Sequence, residues 1–405
     1  MEKRHEQHYQ QLKCRVLERL DCSEEIGDDK VYEWIDQEVL QYGQEIYISL
    51  EEKLRLRQEI FNSLRKLDIL QELVDCPGVT EIMINGMDNI FIEEEGKIRK
   101  WEKCFESVEK LEDVVQQIVG RTNRMVNESN PIVDTRLENG SRVNIVLPPV
   151  ALNGPVVTIR RFPDKAIQMD DLISYRSIDK ETARFLKRLV QAGYNIFISG
   201  GTGSGKTTFL NVLSNYIPKD ERIITIEDSA ELQIRNIPNL VRLETRNANS
   251  EGKNEITIRE LIKSALRMRP DRIVVGEVRG GEAVDMLQCL NTGHDGSLST
   301  GHSNSSRDML SRLEMMVLMG IELPLDAVRR QIAAGIDMIV HLGRLRDKSR
   351  KVLEIVEIAG YKDGEIQLNP LYQFQETGEE GGKVLGEFVC VGELMHKEKL
   401  LQQGV

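Results

Sequence analysis

The chain is short of several things, and each shortage narrows what it does. No apolar run approaches the ~18 residues of a bilayer span, so any membrane contact is expected to be peripheral. The opening Met1-Glu2-Lys3-Arg4-His5-Glu6 is too charged for a secretory leader. Six cysteines (Cys14, Cys22, Cys76, Cys104, Cys289 and Cys390) are scattered over 405 residues with no C-x-x-C pair. That pattern suits free or buried thiols in a reducing cytoplasm better than a disulfide framework. Positive charge is in deficit: a formal net charge of -12 argues against a long grip on nucleic acid, although the stretch Arg344 to Arg350 is locally arginine-rich. Aromatic-basic stripes are missing as well. What is present, 40% apolar and 30% charged residues, fits a soluble globular protein of two or three domains.

The most informative stretch is Asn195 to Leu213. The apolar run Ile196-Phe197-Ile198 leads into Gly200-Gly201-Thr202-Gly203-Ser204-Gly205-Lys206-Thr207-Thr208, and a helical apolar pattern follows. Strand, glycine-rich turn and helix are the context of a G-x-x-x-x-G-K-[ST] phosphate loop. Glycines let backbone N–H groups wrap an anion closely, and the helix starting near Lys206 aims its positive end at the same point. The spacing predicts that Gly201, Thr202, Gly203, Ser204, Gly205, Lys206, Thr207 and Thr208 bind a nucleoside triphosphate. Lys206 is expected on the β- and γ-phosphates, and the Thr207 hydroxyl on Mg²⁺.

In chain order, residues 1–64 read as charged helices with apolar stripes through Leu12, Val16 and Leu20, then Val31, Trp34, Ile35, Val39 and Leu40. A third helix starts at Ser49, where Ser49-x-x-Glu52 is a capping-box spacing. Residues 65–162 change to short strands with turns at Asn85-Gly86, Glu95-Gly96 and Glu138-Asn139-Gly140, and one helix through Val108 to Val119. This predicts a smaller α+β domain whose strands end in arginines. Residues 163–176 read as a linker. Residues 177–405 alternate strands and helices, which predicts an α/β domain with a mostly parallel sheet.

Two strands of that sheet should deliver acid beside the phosphate loop, because ligands sit beyond the carboxyl ends of such strands. Arg222–Ile226 leads to Glu227 and Asp228, and Asp271–Val275 leads to Gly276 and Glu277. Gly276 stands where a usual Walker B strand has aspartate. Glu277 is therefore expected to act through Mg²⁺-bound water or on the attacking water, with Glu227 as second candidate for orienting the nucleophile. Asn291 to His302 reads as a polar loop whose His294 and His302 sense the γ-phosphate. Zinc is disfavoured, since the spacing with Cys289 fits no common site and a fourth ligand is missing.

These motifs together resemble one family. Val133-Asp134-Thr135-Arg136-Leu137 with Gly140 to Asn144, Thr158 to Phe162, the phosphate loop, Ile226 to Leu232, Leu266 to Asp271 and Asn291 to Ser297 are similar to the type II/type IV secretion-superfamily ATPases. The tail Gly382-Lys383-Val384-Leu385-Gly386 resembles the CpaF branch that powers tight-adherence (Tad) pili. The similarity runs from about residue 65 to the C-terminus. It implies a RecA-like P-loop motor domain preceded by the α+β domain and a helical extension, assembled as a cytoplasmic homohexamer with ATP and Mg²⁺. It further implies Glu227 in the acidic box, Glu277 in the atypical Walker B strand, and His294 and His302 in the histidine box. Arg136, Arg142, Arg160 and Arg161 would reach the nucleotide from the N-terminal domain, while Arg242, Arg246 or Arg279 could complete a neighbour's site. Gly301 and Ser303 depart from the pattern, where a bulkier residue and alanine are expected.

The resemblance implies an ATP-hydrolysing motor at the inner face of the cytoplasmic membrane. It would act on platform proteins of a pilus or secretion system and, through them, on pilin. A type IV secretion or nucleic-acid translocation ATPase and a pilus retraction motor are the alternatives. A small-molecule kinase and a non-catalytic scaffold fit less well: no acceptor pocket is legible, and two glutamates stand at positions suited to catalysis.

Overall fold

The computed structural model describes residues 2–19, 26–94, 96–121, 124–161, 167–246 and 254–404. It divides into two units, Met1–Asp164 and Lys165–Val405. Leu20, Glu95, Phe162 and the first residues of the expected linker lie outside the described residues.

In the first unit, α1 (Glu2–Arg19), α2 (Asp28–Glu45) and α3 (Leu50–Arg65) bury Leu12, Val16, Val31, Ile35, Ile60 and Phe61 in a common core. Leu40 of the expected stripe stays exposed. Ser49 caps α3 by accepting the Glu52 N–H at 3.1 Å, which satisfies one donor left orphaned at the helix start. Lys13 pairs with Glu106 at 3.0 Å and Lys110 donates to the Ser63 carbonyl at 3.0 Å. The helices and the α+β part thus form one unit, although their compositions differ sharply.

That α+β part comprises α4 (Leu70–Asp75), β1 (Val79–Asn85), β2 (Ile90–Glu94), β3 (Lys97–Lys100), α5 (Val108–Gly120), β4 (Ile132–Arg136), β5 (Arg142–Val146) and β6 (Val156–Arg160). Among the described residues the sheet order is β3-β2-β1-β6-β5-β4, antiparallel throughout. Period-2 burial puts Val143, Ile145, Val157 and Ile159 on one face, where Leu111, Val114, Val115 and Ile118 of α5 cover them.

The second unit opens with α6 (Met169–Ser174), which lies inside the expected linker. Met169 and Leu172 are buried in the main core, so this stretch belongs to the domain and the linker is shorter than its polarity suggested. Then follow α7 (Lys180–Gln191), β7 (Ile196–Gly200), α8 (Lys206–Ser214), β8 (Ile223–Glu227), β9 (Leu240–Glu244), α9 (Ile258–Ala265) and β10 (Arg272–Val275). The series continues with α10 (Ala283–Leu290), β11 (Leu298–His302), α11 (Ser306–Gly320), α12 (Leu325–Gly335) and β12 (Met338–Arg344). Last come β13 (Arg350–Lys362), β14 (Glu365–Glu380), β15 (Lys383–Cys390) and α13 (Glu398–Gln403). Thr257 and Glu260 close the expected capping box at the start of α9.

Among the described residues the second sheet has the order β15-β14-β13-β12-β7-β11-β10-β8-β9. The run from β12 to β9 is parallel, and β13, β14 and β15 extend it antiparallel. Every residue of β7, β8 and β10 is buried, as expected for a parallel sheet covered on both faces. One core lies on the α7–α8 side and a second on the α9–α12 side. Asn195 fastens the amino ends: its amide donates to the Gly335 carbonyl at 2.8 Å and accepts from Gly296 and Ser297 N–H at 2.8 and 3.1 Å. The expected polar loop from Asn291 to His302 is only half loop. Residues 298–302 form β11 in mid-sheet, because Leu298, Ser299, Thr300 and Gly301 are small or apolar enough to be enclosed.

Ile262 is fully buried in the α9–α12 core. Replacing it with Ala is expected to destabilise the second unit by about 2–5 kcal/mol. Leu401→Ala, at a position 79% exposed, should leave thermal unfolding unchanged. Equal shifts in calorimetry for both variants would refute this placement of the core.

Candidate active site

The phosphate loop leaves β7 through backbone that only glycine fits. A Cβ on Gly200 would stand 2.4 Å from the Leu342 carbonyl oxygen and 2.7 Å from Ser204 Oγ, while Gly203 and Gly205 have φ of +71° and +93°. Helix α8 then starts with Gly205 as its N-cap, with no side-chain cap hydrogen bond among the described residues. The N–H groups of its first turn, with the helix dipole, are suited to an anion. Lys206 is buried, and its ammonium donates to the Gly200 and Gly201 carbonyls at 3.0 and 2.9 Å. Burial lowers its pKa, with Glu277 opposing the shift. Thr207 and Thr208 lie half-buried on the first turn of α8; Gly201, Thr202 and Gly203 are exposed and Ser204 is buried. Donors and glycines therefore fit a polyphosphate.

From Lys206 an unbroken polar chain crosses the carboxyl ends of the strands. Lys206 Nζ stands 3.1 Å from His302 Nδ1, and His302 Nε2 stands 2.9 Å from Glu277 Oε1. Arg279 donates to Glu277 Oε2 at 2.7 Å and reaches Asp228 at 3.3 Å. The ammonium can only donate, so His302 accepts at Nδ1, while its Nε2 edge lies close to Glu277 Oε1, which accepts no hydrogen bond among the described residues. Partial burial and Lys206 push its pKa down, outweighing Glu277, so the ring is neutral at neutral pH. The Glu277 and Asp228 side of Arg279 raises its pKa, Glu277 most.

Glu227 is buried one strand away. Its Oε2 accepts the N–H groups of Glu231 and Leu232 at 2.6 and 2.9 Å, and Oε1 has no hydrogen-bond partner among the described residues. Desolvation raises its pKa against those two bonds. The glycine before Glu277 has a packing reason: a Cβ on Gly276 would stand 3.0 Å from Glu227 Cγ. Gly301 is explained likewise, since a Cβ there would meet the Phe197 ring at 2.9 Å and the Met309 methyl at 3.0 Å.

Other expected residues fall elsewhere. His294 is a correction: it precedes β11, at the amino end of the strand, with Nδ1 3.2 Å from the Cys289 carbonyl oxygen. Parallel strand direction puts that end away from the phosphate loop of its own chain, so His294 does not join His302. Arg279 pairs with Glu277 and Asp228 of its own chain. Arg242 is exposed on edge strand β9, and Arg246 donates to the Asn254 carbonyl at 2.7 Å. In the first unit Arg136, Arg142 and Arg160 stand in register across β4, β5 and β6. Arg160 pairs with Glu81 at 3.0 Å, and Arg161 donates to the carbonyls of Cys76 and Val79. Residue order did not reveal Arg350, whose Nε donates to the Gly203 carbonyl at 2.9 Å from the β12–β13 hairpin. The arginine-rich run 344–350 was its only signal. Among the described residues no cluster of three His, Cys, Asp or Glu side chains is set to hold a metal, and no helix is long and apolar enough to cross a membrane.

Fold and site together define a mixed α/β domain with a large, mostly parallel sheet and a glycine-rich strand–loop–helix turn at the carboxyl end of β7. Residues 63–398 match the family model of the Type II/IV secretion system protein, and the chain belongs to that family. It is 33% identical to the conjugal transfer protein TrbB of Rhizobium radiobacter, over 80% of this chain and 96% of the relative. It is 32% identical to the type IV secretion system protein VirB11 of Brucella suis, over 68% and 84%. The crystal structure of the pilus retraction motor PilT with bound ADP shares its fold, at 20% identity and a TM-score of 0.54 over 76% of this chain and 82% of PilT.

The depressed pKa of His302 has a consequence for stability. Lys206, Glu277, Arg279 and Arg312 surround the ring, and their net effect with burial is to resist protonation. The unfolded chain takes up this proton near pH 6.5, so stability present above that pH is lost as pH falls through it. The thermal midpoint is expected to drop between pH 7.5 and 5.5, and less steeply in His302→Gln. Parallel pH curves for the two proteins would contradict a neutral His302.

Proposed function

We propose that the protein is an ATP-hydrolysing motor of a secretion or pilus machine. The observation that carries this reading is the chain Lys206–His302–Glu277 across the mouth of the phosphate loop. Lys206 and the α8 N-terminus would take the β- and γ-phosphates, and Thr207 with a water bound near Glu277 would hold Mg²⁺, which neutralises charge on the phosphates. Glu277 would orient the attacking water, with His302 reporting on the γ-phosphate and Glu227 supporting the acidic side. Arg136, Arg142, Arg160 and Arg161 would serve the same nucleotide from the first unit. Arg242 or Arg246 would act on a neighbouring subunit of a homohexamer.

The machine itself has two readings. The tail Gly382 to Gly386 favours assembly of Tad-type pili through a membrane platform. The similarity to TrbB and VirB11 favours conjugal transfer or type IV secretion. In both, the protein works in the cytoplasm against the membrane, and closure of the first unit on the second around ATP is the power stroke. Solution scattering indifferent to nucleotide would remove that stroke. DNA that leaves the ATPase rate unchanged would favour the pilus reading.

The decisive assay is ATPase rate per protomer against protein concentration, with Lys206→Ala as blank. A rise to a plateau is expected, because neighbours complete each site; a flat rate from a monomer shown by light scattering would sink the ring motor. Glu277→Gln should retain ATP binding within about threefold and lose turnover by about 100-fold or more. Parallel losses of binding and turnover would assign Glu277 to nucleotide binding alone.

A further inference from the structure

One buried titratable side chain has no part in the chemistry above. His341 stands in β12 only 5% exposed, in the otherwise apolar run Met338-Ile339-Val340-His341-Leu342. In register across three parallel strands, His341 lies beside Ser199 of β7, and Ser199 beside Gly301 of β11. Ser199 is the last residue before Gly200 of the phosphate loop; Gly301 is the last before His302. His341 Nδ1 is 2.9 Å from Ser199 Oγ, and the backbone of Asn304 lies near enough to the ring to influence its protonation. Its cross-strand partner Glu354 accepts the Ser306 N–H at 3.0 Å, just where α11 begins.

Strand alternation separates the two histidines. Leu342 belongs to the α7–α8 core and Ile339 to the α9–α12 core, so His302, in register with Leu342 through Gly200, is on the face of Lys206. His341 is on the opposite face. Residues 303–306, which pass around the end of the sheet, are therefore tied from beneath at Ser306 by Glu354 and faced at Asn304 by His341. Above, the Ser303 N–H reaches the Gly200 carbonyl only at 3.4 Å, a weak tie.

We infer that His341, assisted by Glu354, is a positioning residue. It locks the turn after His302 to the strand before the phosphate loop, and so holds His302 between Lys206 and Glu277. The neutral ring suits this task, since it accepts the Ser199 hydroxyl at Nδ1 and keeps an Nε2–H to offer the nearby Asn304 backbone. Burial, which depresses its pKa, keeps it in that form. The inference rests on the ATPase reading for its effect on turnover, but the latch itself does not.

Three variants test it in the full-length protein: His341→Leu, His341→Gln and Glu354→Gln. Hydrogen exchange should show the amides of Ser303 to Ser306 opening at least about tenfold faster in His341→Leu, with α8 amides unchanged. The value of kcat should fall about 10- to 100-fold, with KM for ATP and the affinity for a fluorescent ADP analogue within about twofold. His341→Gln, whose amide can still donate towards Asn304, should recover part of kcat. Glu354→Gln, still an acceptor for Ser306, should stay near wild type. Unchanged exchange at 303–306 would overturn the latch. Faster exchange with unchanged kcat would overturn its role in positioning His302. Equal kcat losses in the Leu and Gln variants, tracking equal losses of thermal stability, would reduce His341 to a core residue. A wild-type protein with no ATPase above Lys206→Ala would instead fail the motor reading, and the exchange result would still decide the latch.

Discussion

A buried ammonium without a carboxylate of its own is the constraint on which the site depends. Removing a charge from water is costly unless it is hydrogen-bonded, and Lys206 meets that cost with two carbonyls and an imidazole. The carbonyls belong to Gly200 and Gly201, so the loop must fold back on its own lysine. The imidazole belongs to His302, so β11 must run beside β7. Once both conditions hold, a cation and a row of free N–H groups face the same small volume, a setting suited to an anion.

The two glutamates differ in their surroundings. Glu277 is reached from two sides, by the His302 imidazole and the Arg279 guanidinium, at the edge of solvent. Glu227 is enclosed and held through one oxygen by two main-chain N–H groups. Gly276 lets them coexist, because a side chain there would crowd Glu227. An aspartate at position 276 would press on the Glu227 side chain of the neighbouring strand.

The antiparallel additions brace the parallel core. Arg350 holds the apex of the phosphate loop, and the turn before it is anchored by Asp347, which accepts the Val384 N–H at 2.9 Å. Arg346 pairs with Glu376 and Glu379 on β14. At the other end of the sheet, Lys399 reaches Asp295 and Asp337 at 2.8 and 2.7 Å and draws the C-terminal segment onto the amino ends of the strands. Exposed pairs such as Arg346 with its glutamates contribute little individually, but together they define where the hairpin sits.

Local chemistry alone determined much of this protein. Strand, glycine loop and helix at 196–214, the acidic ends at Glu227 and Glu277, and the Thr257 capping box are all set by residues within a few positions of one another. Period-2 and period-3.6 burial made the α+β and α/β classes legible for the same reason. What needed the tertiary structure joins residues far apart in the chain: Arg350 with Gly203, His341 with Ser199, Gly276 with Glu227. The same holds for the separation of His294 from His302, which are eight positions apart and look equivalent in a polar stretch. Only the decision to thread Leu298 to His302 through mid-sheet places one at the phosphate end and the other at the far end. That decision is made by burial of small side chains between β7 and β10, a pairing across more than twenty residues that no local pattern encodes.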